Sequence, residues 1–428
     1  MSVLPANEHS LTTSPSAASD ISWRSWMGLC ASFFFLAEIH GVTMPFVQVY
    51  LREHHWSYER IGIIITISSL CGFLSQLPGG LVIDSIRHHR LFLAAGVLII
   101  GTCYGLLGEL PANEIWVAVV LIIAAIPLPL LGPLTNALTI GIIGVDRINR
   151  AMGINQAWNH AGNIAAAASA MILLTFYPLK VVFLVVSISS LCTLLAVSCI
   201  RSSEISLTRL RGLEKCSCRG RVAFVALFSE YRVIVFLLAV ALFHLANAPV
   251  MPLVALKIQR CSGSHRQVAA VVLVAQLVMI PVALLAGWAG QYYGRKWVFS
   301  IGFVVLPIRI ALYTVTDDPQ ALVWLQMLDG VGAGIFGVIS VTICADLTRG
   351  KGHLNTLAAC LGLATAFGGV VGPVFSGTIV QRNGFDAAFM TFALIAVLAA
   401  MIFIGLMPET DHRLCARQTE TRKPISAR

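Results

Sequence analysis

Charge is scarce in this chain. Asp, Glu, Lys and Arg make up 11% of its 428 residues, and 57% are hydrophobic, where soluble domains carry roughly 25% charge. So few charges cannot cover the surface of one soluble core, so the chain reads as a polytopic membrane protein. Other features are missing outright. There is no GxxxxGK[ST] phosphate loop, which excludes ATP as a driving force, and no HExxH helix. No nucleophile can be matched with a base, so no enzyme is expected. Eleven cysteines are present, but none has metal-ligand spacing. The one close pair, Cys216 and Cys218, sits in a basic stretch that reads as a reduced cytoplasmic loop. No metal and no cofactor are expected. No basic segment precedes a short apolar core with a cleavage site, so no cleaved signal peptide is expected. The net charge of +9 does not point to nucleic acid, because the basic residues sit in short segments between apolar runs.

What is present is a succession of apolar runs. Residues 1–22, rich in Ser, Thr, Ala and Pro, read as a disordered tail. Twelve runs of about 18–25 residues follow, each able to cross ~30 Å of hydrocarbon as a helix. The first six are Trp26–Tyr50, Ile61–Ile83, Leu91–Gly108, Ile115–Gly144 (broken by Pro127, Pro129 and Pro133), Ala151–Phe176 and Val181–Ile200. The second six are Val233–Ile258, Val268–Tyr292, Trp297–Thr316, Leu322–Cys344, Leu357–Val380 and Ala387–Met407. This predicts an all-α membrane protein with bundles at 23–200 and 233–408, a basic linker at 201–232, and a tail at 409–428. Within the linker, Val222–Phe228 reads as a short surface-lying turn. If both termini are cytoplasmic, only Arg52, Arg60, Lys180, Lys257, Arg260, Arg266 and Arg382 of the 29 Lys and Arg fall in outer loops or at the outer ends of runs, and Arg309 lies within a run. The positive-inside rule therefore puts both termini in the cytoplasm of a multi-pass inner (plasma) membrane protein, read as a monomer in the lipid bilayer.

The chain also repeats itself. Gly80 to Arg90 reads GLVIDSIRHHR, ending an apolar run in an acid and a basic turn. Gly287 to Lys296 reads GWAGQYYGRK, displaced by 207 residues, and the same offset relates Met44-Pro45 to Met251-Pro252. A period this long fits two homologous halves rather than a solenoid. Twelve runs in two sixes, with this turn after the second and its echo after the eighth, resemble the major facilitator superfamily. The resemblance covers nearly the whole chain. Its loop signature runs roughly G-x-x-x-D-R-x-G-R-K. The first copy keeps Gly80, Asp84, Arg87 and Arg90, with Ser85 where a base is usual and Arg87 where a glycine is usual. The second keeps Gly287, Gly294, Arg295 and Lys296, with Gln291 at the acid position. The resemblance implies two pseudo-symmetric six-helix bundles, runs one, four, seven and ten around a central cavity, and Asp84 as a cytoplasmic latch facing the start of run eleven near Asn355–Leu357. A carboxylate at a helix N-terminus gains ~0.3–1 kcal/mol from the macrodipole. Run ten, LQMLDGVGAGIFG, is similar to a fourth-helix motif of the superfamily, with Gln326 and Asp329 where an arginine is usual. Gly368, Gly372-Pro373 and Gly377 in run eleven are similar to an antiporter pattern that other members carry in run five; here they read as packing and hinge residues.

Charged and polar residues inside the runs are costly, so each is a site candidate. Glu38 lies ~18 Å into the first run at 1.5 Å per residue, with His40 two positions on. His244 and Asn247 sit at similar depth in run seven, Asn247 at the repeat position of His40. Run five carries Asn155, Gln156, Asn159, His160 and Asn163 on one face, which either lines the cavity or bonds another helix. Gln276 in run eight joins the candidate pathway. Arg309 lies ~12 Å from the outer surface and Asp329 ~10 Å from the outer end of its run, so matched depth predicts an ion pair with Gln326 nearby. Pro45, Pro249, Pro252, Pro281 and Pro307 read as kinks or hinges. Together these readings point to alternating access with a site between the halves. Glu38 and Asp329, one acid per half, favour proton-coupled export of a small organic compound. Proton-driven import of a solute such as a siderophore is the alternative, and a non-transporting receptor or scaffold is a different class.

Overall fold

Every one of the twelve predicted runs lies on helix in the computed structural model, which describes residues 22–41, 43–86, 88–109, 111, 113–143, 148–206, 229–348 and 354–410. The first run carries α1 (Trp23–Gly41) and α2 (Thr43–Glu53), and the second α3 (Tyr58–Ser85). Then come α4 (His89–Glu109), α5 (Glu114–Ala125) and α6 (Leu131–Ile143), α7 (Ile148–Leu173) and α8 (Val181–Cys199). The second half carries α9 (Tyr231–Asn247) and α10 (Val250–Arg260), α11 (His265–Tyr292), α12 (Arg295–Leu312), and α13 (Pro319–Trp324) with α14 (Gln326–Leu347). The last two runs form α15 (Leu354–Leu406), which bends at Gly384, whose φ of 86° lies in the left-handed region that glycine tolerates. By length and hydropathy alone, eight stretches of the described residues can cross a membrane, one of them the 51 residues around that bend. The tail 1–21, most of the linker (207–228, with both close cysteines and Val222–Phe228) and 411–428 lie outside the described residues.

The helix breaks have a pattern. Among the described residues runs four, seven and ten are each divided, and in a twofold-repeated chain four corresponds to ten. Prolines explain two of the breaks. Pro127 and Pro129 frame a 3-10 turn (Leu128–Leu130), and Pro249 precedes α10, since proline cannot donate to the preceding turn. Pro281 and Pro307 sit inside continuous α11 and α12, whereas Pro249 stands at a break. Side-chain caps begin the helices of runs two, four, eight and ten: Ser57, Asn113, Ser264 in a full capping box with Gln267, and Asp318, in that order. The outward faces are apolar. Leu74, Leu91, Ile115, Leu195, Leu284 and Leu394 are all exposed, as a lipid-facing surface requires.

Within the first half α1 packs on α7 and α8, and α4 on α8; within the second, α9 and α12 pack on α15, and α11 on α14. Between the halves, α3 packs on α15 and α7 on α11. These are the same contact under the repeat, because run two corresponds to eight and run five to eleven. At the end of the molecule opposite the termini a third contact, α2 on α10, seals the halves together. The seal is close because small residues let backbones meet. A Cβ on Gly62 would lie 2.4 Å from the Pro373 carbonyl oxygen, and one on Gly377 would lie 2.3 Å from that of Tyr58. Polar contacts finish it. The Val374 amide donates to Thr66 Oγ1 (3.0 Å), the Tyr58 amide to Gln381 Oε1 (3.2 Å), and His265 Nε2 meets Glu53 Oε1 at 2.5 Å. Gly62→Val therefore wedges the seal. A cysteine at Thr66, shielded from an impermeant maleimide in the otherwise native chain, should label severalfold faster when Gly62→Val is added; equal labelling contradicts the close approach.

Beside the seal, the buried Lys257 ammonium donates to the Tyr313 carbonyl (2.6 Å) and meets Asp317 at 2.9 Å and Asp386 at 3.6 Å. The bond from Lys257 holds the Asp317 carboxyl below its ordinary 3.8. A lowered folded pKa stabilises above the unfolded value, and that contribution is lost as pH falls through the folded one. The melting temperature of Asp317→Asn should thus lie below that of the native protein at neutral pH, and the gap should close in the acid range below about pH 4. A gap independent of pH would show that the carboxylate charge is not what the lysine holds.

Candidate transport site

Two cavities occupy the middle of the molecule. The smaller, ≈ 140 Å3, lies within the second half between α9, α12 and α14. Its wall includes His244, Asn247, Arg309 and Asp329. Arg309 is buried, 3% exposed; its Nη1 is bonded to Asp329 Oδ1 and its Nη2 donates to Asn247 Oδ1. Its Nε finds no partner among the described residues. A guanidinium in hydrocarbon must be neutralised and its donors filled, and a carboxylate and an amide oxygen from two neighbouring helices do most of that. His244 packs edge-on against Phe336 with ring centres 4.6 Å apart, and its Nε2 is buried without a described partner. Gly368 sets this wall. A Cβ there would lie 2.2 Å from the His244 carbonyl oxygen, so α15 runs directly against α9.

The larger cavity, ≈ 350 Å3, lies between the halves. It begins at the level of the seal, at Ile65 and Pro373, and extends toward Gln76 and Ala366 on the terminus-bearing side. Broken helices frame it. Leu128 and Pro129 come from the 3-10 turn, and Ala248 and Pro249 from the gap between α9 and α10. Asn247, one residue earlier, belongs to the smaller cavity. The two cavities therefore adjoin at a single helix break.

The other predicted residues are spread more widely. Glu38 accepts a hydrogen bond from Ser189 Oγ (2.7 Å) on α8, and it lines neither cavity. It faces Ser189 in the first half, and among the described residues no hydrogen bond or ion pair joins it to the cluster around Asp329. The His40 side chain lies outside the described residues. In α7 the buried Asn155 donates to Thr139 Oγ1 (3.1 Å) on α6, while Asn163 donates to Asn159 (3.3 Å) within the helix and Gln156 is exposed. This stripe thus bonds to a neighbouring helix and to itself. His160 Nδ1 and Gln276 Oε1 are buried without described partners. Gln326 donates to the Tyr313 hydroxyl (2.9 Å) and lines neither cavity. Gln48, Ser68, Ser69 and Gln76, which line the larger cavity, were not singled out by sequence reasoning; an uncharged polar residue within an apolar run carries little signal.

Comparison with known proteins decides the family. The family described as MFS_1 like matches residues 26–393. This chain belongs to the major facilitator superfamily. An uncharacterized MFS-type transporter of Mycobacterium tuberculosis is 31% identical over 395 residues, covering 90% of this chain and 94% of that one. A probable nitrate transporter, NarT, of Staphylococcus epidermidis is 25% identical over 160 residues, 37% of this chain and 40% of its own. Among solved structures, the nucleoside transporter NupG superposes with a TM-score of 0.70 at 16% identity, over 90% of this chain and 98% of NupG. A D-xylose–proton symporter superposes with a TM-score of 0.66 at 15% identity, over 91% and 97%. The fold is thus that of the superfamily, and the protein is a multi-pass secondary transporter rather than an enzyme.

The superfamily loop is visible in its second copy. Gly294 has φ 99° and ψ 155°, a conformation that only glycine adopts cheaply, and it begins α12. Arg295 pairs with Asp346 at the end of α14 (Nε to Oδ2, 3.4 Å), and Glu409 accepts from the Arg295 and Lys296 amides at 3.0 and 3.1 Å. The acid that Gln291 fails to supply thus comes from the end of α14 and from the segment that follows α15; Gln291 itself is exposed. Gly287 and Gly290 let this end of α11 lie against Val338 and Ile339 of α14. In the first copy Arg90 donates to the Val197 and Ser198 carbonyls at the end of α8 (3.2 Å each), where helix carbonyls lack internal partners. Arg87, the side chain of Asp84 and the environment of Gly80 lie outside the described residues, as does the Asn355 side chain that the latch was expected to face.

Removing one member of the buried pair leaves the other unpaired, at about 3–5 kcal/mol. Arg309→Leu should therefore lower the melting temperature of purified protein far more than Arg309→Leu combined with Asp329→Leu, which takes out both charges. Equal melting temperatures for the single and double variants would show that the contact carries no coupling.

Proposed function

We propose that this transporter exports a small organic compound in exchange for protons across the cell membrane, with both termini in the cytoplasm. The observation that carries this reading is the cluster of Asp329, Arg309, Asn247 and His244 around one small cavity. Two of these side chains can take up a proton and one is a fixed cation. Ionised Asp329 neutralises Arg309. A proton on Asp329 strands that cation in a low-dielectric wall, which is strongly unfavourable, so the guanidinium must move or find another acceptor. Its remaining acceptor, Asn247, ends α9 beside the Pro249 break. A proton is thus converted into displacement of a helix end that lines the interdomain cavity. This is the differential stabilisation of two states that coupling requires.

With the termini inside, the sealed end faces outward and the larger cavity lies on the cytoplasmic side of that seal, where an exporter loads. NarT is named a probable nitrate transporter. An anion of that kind needs an available cation, and here Arg309 is committed to Asp329 and the interdomain cavity has no basic lining residue.

The test is intracellular accumulation of a compound panel, read by mass spectrometry in cells with and without the protein. Expression should lower the level of at least one compound. A protonophore, or Asp329→Asn at equal membrane abundance, should abolish that effect. Higher levels on expression would establish import instead, and insensitivity to the protonophore would remove the proton from the mechanism.

A further inference from the structure

The wall of the larger cavity carries no Asp, Glu, Lys, Arg or His. Its polar side chains are the amides of Gln48 and Gln76, the hydroxyls of Ser68 and Ser69, and the buried Tyr104. Ser68 spends its hydroxyl on the Ile65 carbonyl (3.0 Å). The side chains of Gln48, Gln76 and Ser69 have no hydrogen-bond partner among the described residues, although Gln48 is only 8% exposed. Free amides beside apolar walls such as Phe73 and Leu121 are costly unless something entering the cavity bonds them. At ≈ 350 Å3 the space falls within the 300–1,000 Å3 of small-molecule sites.

The charges nearby are already balanced elsewhere. Arg309 and Asp329 neutralise each other in the smaller cavity, and Glu38 is bonded to Ser189. An ionic solute in the larger cavity would lose its hydration and meet no countercharge, a penalty of several kcal/mol per ion. A neutral solute would lose little and gain the apolar wall.

We infer that the interdomain cavity binds an uncharged, mainly apolar organic molecule carrying a few hydrogen-bonding groups, oriented by Gln48, Ser69 and Gln76. This deepens the transport reading and rests on the cavity being the solute site, but on neither proton coupling nor direction. Charge selection and charge coupling are then divided between two cavities that share the break at Asn247–Pro249.

Equilibrium binding tests it without any gradient. The full chain in lipid nanodiscs is titrated with the uncharged fluorophore N-phenyl-1-naphthylamine, and bound dye is displaced with three triaryl or tetraaryl probes. Triphenylphosphine oxide is neutral with one acceptor, tetraphenylphosphonium is a cation, and tetraphenylborate is an anion. The neutral probe should displace the dye at least about tenfold better than either ion. Gln76→Glu should improve the phosphonium about tenfold and leave the borate no better. Ser69→Trp, eluting as a monodisperse species, should weaken dye binding about tenfold by filling the cavity. Displacement by the ions as effective as by the oxide overturns the neutral-solute assignment. Dye binding that is absent, or indifferent to Ser69→Trp, overturns the cavity as the solute site. Charge-selective binding together with failed proton coupling would sink the proposed exchange alone.

Discussion

Hydrocarbon offers a buried charge no water, so each ion inside the bundle has to be matched by protein. Arg309 is where this constraint is most severe. It lies at the heart of the second half, and its guanidinium is satisfied by a carboxylate from α14 and an amide from α9. Much else follows from keeping it satisfied. α9 must end where Asn247 can reach it, α15 must lie flush against α9, and only glycine at 368 lets it do so. The pair is a structural fixture and, because an acid is one half of it, a device that a proton can disturb.

The second principle is repetition. The two halves meet twice through one kind of contact, α3 with α15 and α7 with α11. Symmetric interfaces of this kind let one bundle rock on the other without creating new surfaces at each step. The halves are nonetheless unequal in chemistry. The second holds a charged cluster next to a cavity, while the acid of the first, Glu38, is tied to Ser189 within its own bundle. In the loop after the eighth run, where Gln291 stands at the acid position, Asp346 and Glu409 supply the carboxylates.

The fold was legible in the sequence because lipid imposes a minimum apolar length, and twelve runs meet it. The offset of 207 residues marked the halves before any coordinates. Arg309 and Asp329 could be matched because depth is readable along a helix at a fixed rise per residue. Rotation about the helix axis is not readable. Both lipid and protein interior are apolar, so the amphipathic stripe that orients a helix in a soluble protein is nearly absent. Glu38 could therefore be given a depth but not a direction, and it bonds Ser189 of α8. Gln326, expected near the ion pair, bonds the Tyr313 hydroxyl, and Tyr313 in turn lies within electrostatic reach of Arg309. Gln48, Ser69 and Gln76 went unnoticed for the same reason, since neutral polar residues become informative only when the cavity they face is known.

The account turns on a proton changing which end of the molecule is closed. The direct measurement is the distance between spin labels at positions 54 and 264, across the seal, by double electron–electron resonance on a chain with its native cysteines replaced. The account predicts two distance populations whose weights shift between about pH 8 and about pH 5.5, and which lose that pH dependence in Asp329→Asn. A single distance at both pH values, or a shift that Asp329→Asn leaves intact, would contradict it.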